Sequence, residues 1–538
     1  MTRAPYMPPQ TGSVGRPRAL RNVAAALSGL LLVASTSVPG GTALAQATGP
    51  GPAQAVAAER IQALVPRLEA YIESGMKDFD LPGLAIGIVA GDRLAYAKGF
   101  GVRSKNGAPV DTRTVFQIGS TTKAFLAATL AIMVDRGKLA WDDRIVDLDP
   151  EFQLKDPWVT REFRVFDLLA QRSGLPPYAN DMLGMLGLNE AALIRSLRYV
   201  EPVSSFRTTF AYTNITHLLA GRIVAKAAGA PSGDAVLRQE LLDPLDMKDS
   251  SYTAEAMMAA PNHAEGYRWA PDGTVEVPFT QLFPYDFGGA GDINSSIEDM
   301  ARWVRLQLGN GSFEGRQIVS PQNLAYTHTP KVALTDKAFY ALGWVVLQTP
   351  NGNIVWHNGG TSAFGAFVGL VPDRNVAVIV LSNETNVGLP DAIGLWTLDR
   401  LLGNPDVDHV AARLKSAKSG FEESTKQFAK PSNPSPFPAP AAFVGKFDNP
   451  GIGKLAVTLE GDALVAELQG TGAKLELKPW DGGVFTAELM ALGKFADMAE
   501  NLGPGPQAFA QFQADKDGQP AVLRLTFSDG QAYDFTRD

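Results

Sequence analysis

The chain has 538 residues, 48 Lys+Arg against 56 Asp+Glu, no cysteine and five histidines. Without cysteine there is no disulfide framework, thiolate zinc site, thiol nucleophile or iron–sulfur cluster, and the scattered histidines form no His-Glu-x-x-His pair. A formal charge of −8 with no basic stripe argues against a nucleic-acid-binding surface, and 45% hydrophobic residues over this length fit an ordinary soluble protein of about two to four domains.

Arg16, Arg18 and Arg21 precede the small-to-apolar run Val23 to Ala34, and Ala43-Leu44-Ala45 follows as a small-x-small cleavage site. A basic region, a short apolar region and such a site together read as a secretory signal peptide over 1–45. The apolar run stops short of the roughly 20 residues a membrane span needs. The expectation is a periplasmic or secreted bacterial protein, cleaved near Ala45, with no integral membrane segment in the mature chain. An Ala/Gly/Pro/Gln stretch over 46–59 reads as unstructured.

From Ile61 to Lys77 the spacing is helical, and Leu81-Pro82-Gly83 ends it. Leu84–Ala90 and Arg93–Gly99 are apolar runs around Gly91-Asp92, a hairpin signal. Ser120 to Arg136 is helical and apolar nearly all round, which predicts a buried helix. Further helical periods span Ile215–Ala228 and Ile297–Leu308. Ile354–His357, Phe364–Leu370 and Val376–Leu381 read as strands, and a helix near Pro390–Leu402 follows. Strands at both ends with helices between them predict an α+β domain with an antiparallel sheet over 60–403. Residues 404–440 read as a charged helix followed by a linker, with five prolines between Pro431 and Pro440. Over 441–538 the pattern changes to period two, as in Leu455/Val457/Leu459 and Leu523/Leu525/Phe527, with tight-turn signals between runs. That predicts a separate small β-sandwich or barrel.

Ser120-Thr121-Thr122-Lys123 opens the buried helix. Residues three apart share a helix face, so the Lys123 amine can reach the Ser120 hydroxyl. The apolar surroundings supply the burial that lets a lysine act near neutral pH. The motif alone is weak: Ser74-Gly75-Met76-Lys77 repeats it at the end of the first helix and reads as surface. Order along the chain adds specificity, because Tyr212-Thr213-Asn214 and then His357-Asn358-Gly359 follow. Tyr178-Ala179-Asn180 fits the second pattern but comes too early, directly after Ser173-Gly174-Leu175-Pro176. Lys105-Asn106-Gly107 and Lys516-Asp517-Gly518 mimic the third but lie outside the order.

These ordered motifs resemble the serine β-lactamases and penicillin-recognising peptidases, specifically the class C-like branch, over about residues 60 to 402. Phe116-Gln117-Ile118-Gly119 and Gly288-Gly289-Ala290-Gly291 also look like that family. The resemblance implies a β-lactamase/transpeptidase-like α+β domain followed by a small all-β, lipocalin-like barrel, an architecture similar to D-aminopeptidases. It implies Ser120 as nucleophile, Lys123 and Tyr212 sharing the proton transfers, and an oxyanion hole from the N–H groups of Ser120 and Gly360, beside Gly359. Asn214 would bind the acyl-side amide and His357 would orient substrate or assist Tyr212. Neither cofactor nor metal is called for, and the Gly-x-Ser-x-Gly elbow of the rival hydrolase route is absent. His-x-Gly where typical class C enzymes carry Lys-Thr-Gly points away from efficient penicillin hydrolysis. Peptide or amide hydrolysis is the first expectation, with ester hydrolysis next and weak β-lactamase activity behind it. The partner is a small-molecule or peptide substrate, with a homo-oligomer possible in principle. The rivals from other classes are a sensor that acylates without turnover and an inactive hydrolase scaffold. Tyr178, Tyr267, Trp269, Phe283, Tyr285 and Phe287 are candidates to line an aromatic cleft, with packing the commoner role for aromatic residues in such loops.

Overall fold

The computed structural model describes residues 55–104 and 107–538. The expected signal peptide, most of the expected unstructured stretch and the first two residues of Lys105-Asn106-Gly107 lie outside the described residues. The long elements, in chain order, are α1 (Ala58–Phe79), β1 (Gly83–Ala90), β2 (Arg93–Gly101), α2 (Thr122–Asp135), α3 (Ile215–Ala228), α4 (Ile297–Leu308), β3 (Val332–Ala333), β4 (Ala338–Tyr340), β5 (Val345–Thr349), β6 (Gly352–Gly360), β7 (Gly365–Val371), β8 (Val376–Ser382), α5 (Leu389–Leu402) and α6 (His409–Gln427).

The eight strands form one antiparallel sheet in the order β2-β1-β8-β7-β6-β5-β4-β3. Both faces of it are covered, which is why its central strands read as unbroken apolar runs. In β8, Ala377, Ile379 and Leu381 join the core on one side, while Val376, Val378 and Val380 join that on the other. This is period-two alternation with both faces dry. The outer layer of α1 and α5 packs so closely that Gly394 sits directly on the Phe367 ring. On the inner face α4 meets β1, where Ile297 lies against Gly87. The strands β3 to β5 carry no strong periodic signal and were not expected from the sequence; they extend the sheet beyond β6.

Helix α2 lies within the inner layer, with 12 of its 14 residues buried. A helix without a solvent face is held by packing around its whole circumference, so its N-terminus is a rigid platform.

After α6, eight further strands run from β9 (Gly445–Asn449) through β10 (Gly453–Glu460), β11 (Ala463–Leu468), β12 (Ala473–Asp481), β13 (Val484–Leu489), β14 (Ala508–Ala514) and β15 (Pro520–Phe527) to β16 (Ala532–Arg537). Each pairs with the next, and β9 closes on β16. Leu523, Leu525 and Phe527 point inward, each at most 1% exposed. Burial of such a side chain is worth about 1.5–3 kcal/mol, and closure removes the edge strands. The fold is therefore the expected α+β domain followed by a small all-β barrel.

Candidate active site

Ser120 sits in a single 3₁₀ turn, Gly119–Thr121, immediately before α2. The turn is fixed from both sides. Thr121 Oγ1 donates to the Ile118 carbonyl at 2.9 Å, and the end of β6 lies against the turn backbone to backbone. A Cβ built on Gly359 would lie 1.9 Å from Ile118 O, and one on Gly119, whose φ is +50°, would lie 2.7 Å from the Gly360 nitrogen. Only glycines allow this approach. It places the amides of Ser120 and Gly360 at one junction.

Lys123 lies one turn further along and is fully buried. Its Nζ is 3.1 Å from Ser120 Oγ, 2.7 Å from Asn214 Oδ1 and 2.7 Å from the Ala290 carbonyl oxygen. It also sits 4.8 Å from the centre of the Tyr212 ring. Burial lowers its pKa to about 7, against the nearby carboxyls of Asp181 and Asp292, which raise it. A neutral amine has two N–H bonds and one lone pair. Two acceptors at 2.7 Å occupy the N–H bonds and leave the lone pair facing Ser120.

Tyr212 precedes α3 in a segment held by Gln171. The Gln171 Oε1 accepts from Thr213 N at 2.6 Å and its Nε2 donates to Thr213 O at 3.2 Å. Burial and Tyr340 push the Tyr212 phenol well above its ordinary pKa; Ser120 acts in the opposite direction. The two hydroxyls nevertheless do not meet with hydrogen-bond geometry, and Tyr212 Oη is buried without a protein partner among the described residues.

Asn214 is engaged at both ends, its Nδ2 donating to Asp181 Oδ2 at 2.6 Å. His357 is buried, with Nε2 3.0 Å from Tyr340 Oη and Nδ1 2.5 Å from the Asn358 carbonyl. Both nitrogens are therefore used internally. Burial first, then the Lys123 charge, brings its pKa down to about 3, so it is neutral at physiological pH. It faces Tyr212 by ring packing, with centroids 6.2 Å apart. The two expected roles, orienting substrate or assisting Tyr212, thus fall to a neutral ring whose nitrogens face Tyr340 and Asn358.

The sequence motifs thus converge: Ser120, Lys123, Tyr212, Asn214, His357, Gly359 and Gly360 meet at one place. The competing Ser74 and Lys77 are exposed on α1, and Lys516 lies in the turn between β14 and β15. Three of the six candidate cleft aromatics take the packing alternative. Tyr267, Trp269 and Phe287 are core residues, and Tyr285 is tied to Gln117 and Asn294. Sequence reading missed Gln171, Tyr340 and Asp181. For Asp181 a signal existed, a single acid opening the apolar run Met182 to Leu186.

The family model for beta-lactamase matches residues 68–403. The chain belongs to the beta-lactamase family. A second model, a domain of unknown function, matches residues 429–537, which include the barrel. An unguisins hydrolase of Aspergillus campestris is 27% identical to this beta-lactamase-family chain, over 84% of it and 88% of the relative. Penicillin-binding protein 4 of Amycolatopsis lactamdurans is 27% identical over 56% of this chain and 81% of its own. The octameric penicillin-binding protein homologue from Pyrococcus abyssi shares the fold, with a TM-score of 0.57 at 22% identity over 88% of this chain and 100% of that one. The protein is a beta-lactamase-family serine hydrolase. Among the described residues, no helix is long and apolar enough to cross a membrane.

Proposed function

We propose that the protein is an exported hydrolase of peptide or amide bonds, with Ser120 as nucleophile and a covalent acyl-enzyme as intermediate. The observation that carries this reading is buried Lys123 Nζ at 3.1 Å from Ser120 Oγ, with acceptors at 2.7 Å from Asn214 and Ala290 that, in the neutral amine, leave its lone pair for the serine proton. Ser120 Oγ attacks the substrate carbonyl carbon as its proton passes to Lys123. The oxyanion accepts hydrogen bonds from the N–H groups of Ser120 and Gly360, each worth about 3 kcal/mol in sites of this type. Tyr212, held protonated by burial, donates its proton to the leaving nitrogen as the C–N bond breaks, and takes back the proton held by Lys123. Water then attacks the acyl-enzyme by the reverse proton route.

Amides come before esters for a chemical reason. An amine leaves only when protonated, and a phenol with a raised pKa holds that proton at neutral pH; an alkoxide leaving group needs it less. The neutral His357 supplies no cation at the third motif to grip a β-lactam carboxylate. Export rests on the basic, apolar and small-x-small order of residues 1–45, and D-amino-acid peptides on the resemblance to D-aminopeptidases. The relative aligned across both domains is itself named for hydrolysis, of unguisins.

The test is turnover of a chromogenic panel by the mature chain and by Ser120→Ala. The panel holds D- and L-amino-acid anilides, short acyl esters and a cephalosporin. Serine-dependent release from an anilide is the expected result. Equal rates for both proteins on every substrate would remove the enzymatic reading, and stable acylation by the cephalosporin without release would favour a sensor.

A further inference from the structure

A second set of contacts runs outward from Lys123 and ends on the barrel. Lys123 meets Asn214, and Asn214 meets Asp181. Asp181 is 8% exposed and opens a short helix directly after Asn180, which is 2% exposed and has φ +63°. The barrel grips this corner: Tyr533 Oη donates to Asn180 Oδ1 at 2.9 Å, and Gln531 Nε2 donates to the Pro177 carbonyl at 3.3 Å. Burial first, and then the charge of Asp529 in the turn before β16, raises the Asp181 pKa to about 7, while Asn214 and Lys123 lower it.

We propose that Asp181 is a positioning residue that orients Asn214 and sets the charge beside Lys123, and that the barrel tunes it through Asp529 and Tyr533. The inference rests on the functional reading above. Orientation follows from the chemistry of the partners. Above about pH 7 Asp181 is ionised; its carboxylate then only accepts, which fixes the Asn214 amide with Nδ2 toward Asp181 and Oδ1 toward Lys123. Turned the other way, the amide would set a donor against the lysine N–H bonds.

The charge argument requires every neighbour. Lys123 faces Asp181 and Asp292, the latter paired with Asp234; His217 and His357 are buried beside it and kept neutral by burial and by the lysine itself. Asp181 faces Lys123, Asp529 and the phenols Tyr212 and Tyr533. Negative charge on Asp181 holds the proton on Lys123. Negative charge on Asp529 opposes ionisation of Asp181, and so acts on Lys123 with the opposite sign.

The experiment is the pH dependence of kcat/KM for p-nitrophenyl acetate between pH 5 and 9, with the Ser120→Ala rate subtracted. Asp181→Asn keeps an acceptor for Asn214 but removes the charge, so the acid limb moves down by roughly one pH unit. Asp529→Asn moves it up. Asp181→Ala removes the acceptor as well, and its kcat falls at least tenfold below that of Asp181→Asn. Limbs that stay at the wild-type position, or that move in the same direction, overturn the proposal, because loss of packing alone cannot give opposite signs. If Asp181→Asn does not fold, the Asp529→Asn limb decides by itself: upward supports the proposal and an unchanged limb overturns it. A wild type with no serine-dependent rate fails at the earlier step, and removes the functional reading and this inference together.

Discussion

Replacing Gly359 with alanine tests whether the junction between β6 and the nucleophile turn governs the chemistry. The added Cβ would lie 1.9 Å from Ile118 O, 2.8 Å from Ile118 C and 3.2 Å from Ser120 N. Real Cβ contacts stay at or beyond 3.0 Å, so strand and turn must separate by at least 1.1 Å. The obstacle is backbone on both sides, with no flexible side chain to yield. A displacement of about 1 Å between reacting groups can cost on the order of 100-fold in rate, whereas overpacking costs about 1–3 kcal/mol of stability. The variant is therefore expected to fold, with kcat for a chromogenic ester reduced at least about 100-fold and a melting temperature a few degrees lower. Activity within threefold of wild type, in a protein with unchanged circular dichroism, would refute the geometric argument.

Three further outcomes follow from the same structure. Because only the neutral amine accepts the serine proton, kcat/KM should fall as pH drops through about 7, the pKa to which burial brings Lys123; Lys123→Ala should lose that limb together with about three orders of magnitude in rate. Gln171→Ala leaves the Thr213 N–H and C=O without their buried partners, a cost of about 1–3 kcal/mol for each group, and should lower kcat as Tyr212 loses its support; melting curves and steady-state rates on one preparation check both. Gly394→Ala places a Cβ 2.1 Å from the Phe367 ring on the far face of the sheet. It should destabilise by about 1–3 kcal/mol while kcat per folded molecule stays at the wild-type value, which separates packing effects from those at the nucleophile.

Much of this arrangement was legible in the sequence because periodicity and order carried it. The period-two runs of the barrel and the fully apolar α2 follow from burial alone, and the three motifs follow from chain order and resemblance. What escaped depended on contacts between distant segments. The strands β3 to β5 are short, and Val332–Ala333 and Ala338–Tyr340 gain their partners only through the sheet. Asp181 follows the Tyr-x-Asn copy at Tyr178, which was set aside as too early, and its meaning emerges only when α3 brings Asn214 beside it. For His357, a motif does not show that Tyr340, 17 residues earlier, will stand beside its Nε2. The loop aromatics are chemically suited to a cleft or a core, and Tyr267 and Phe287 took the packing role that such residues more often have.

The central claim is that Ser120 forms the covalent bond to the acyl group. Rapid quenching of the mature chain with an activated D-amino-acid ester, followed by intact-mass measurement and peptide mapping, tests it most directly. The account predicts a single acyl adduct on the peptide containing Ser120, absent in Ser120→Ala and accumulating slowly in Lys123→Ala. Turnover with the adduct on another residue, or undiminished turnover in Ser120→Ala, would contradict it.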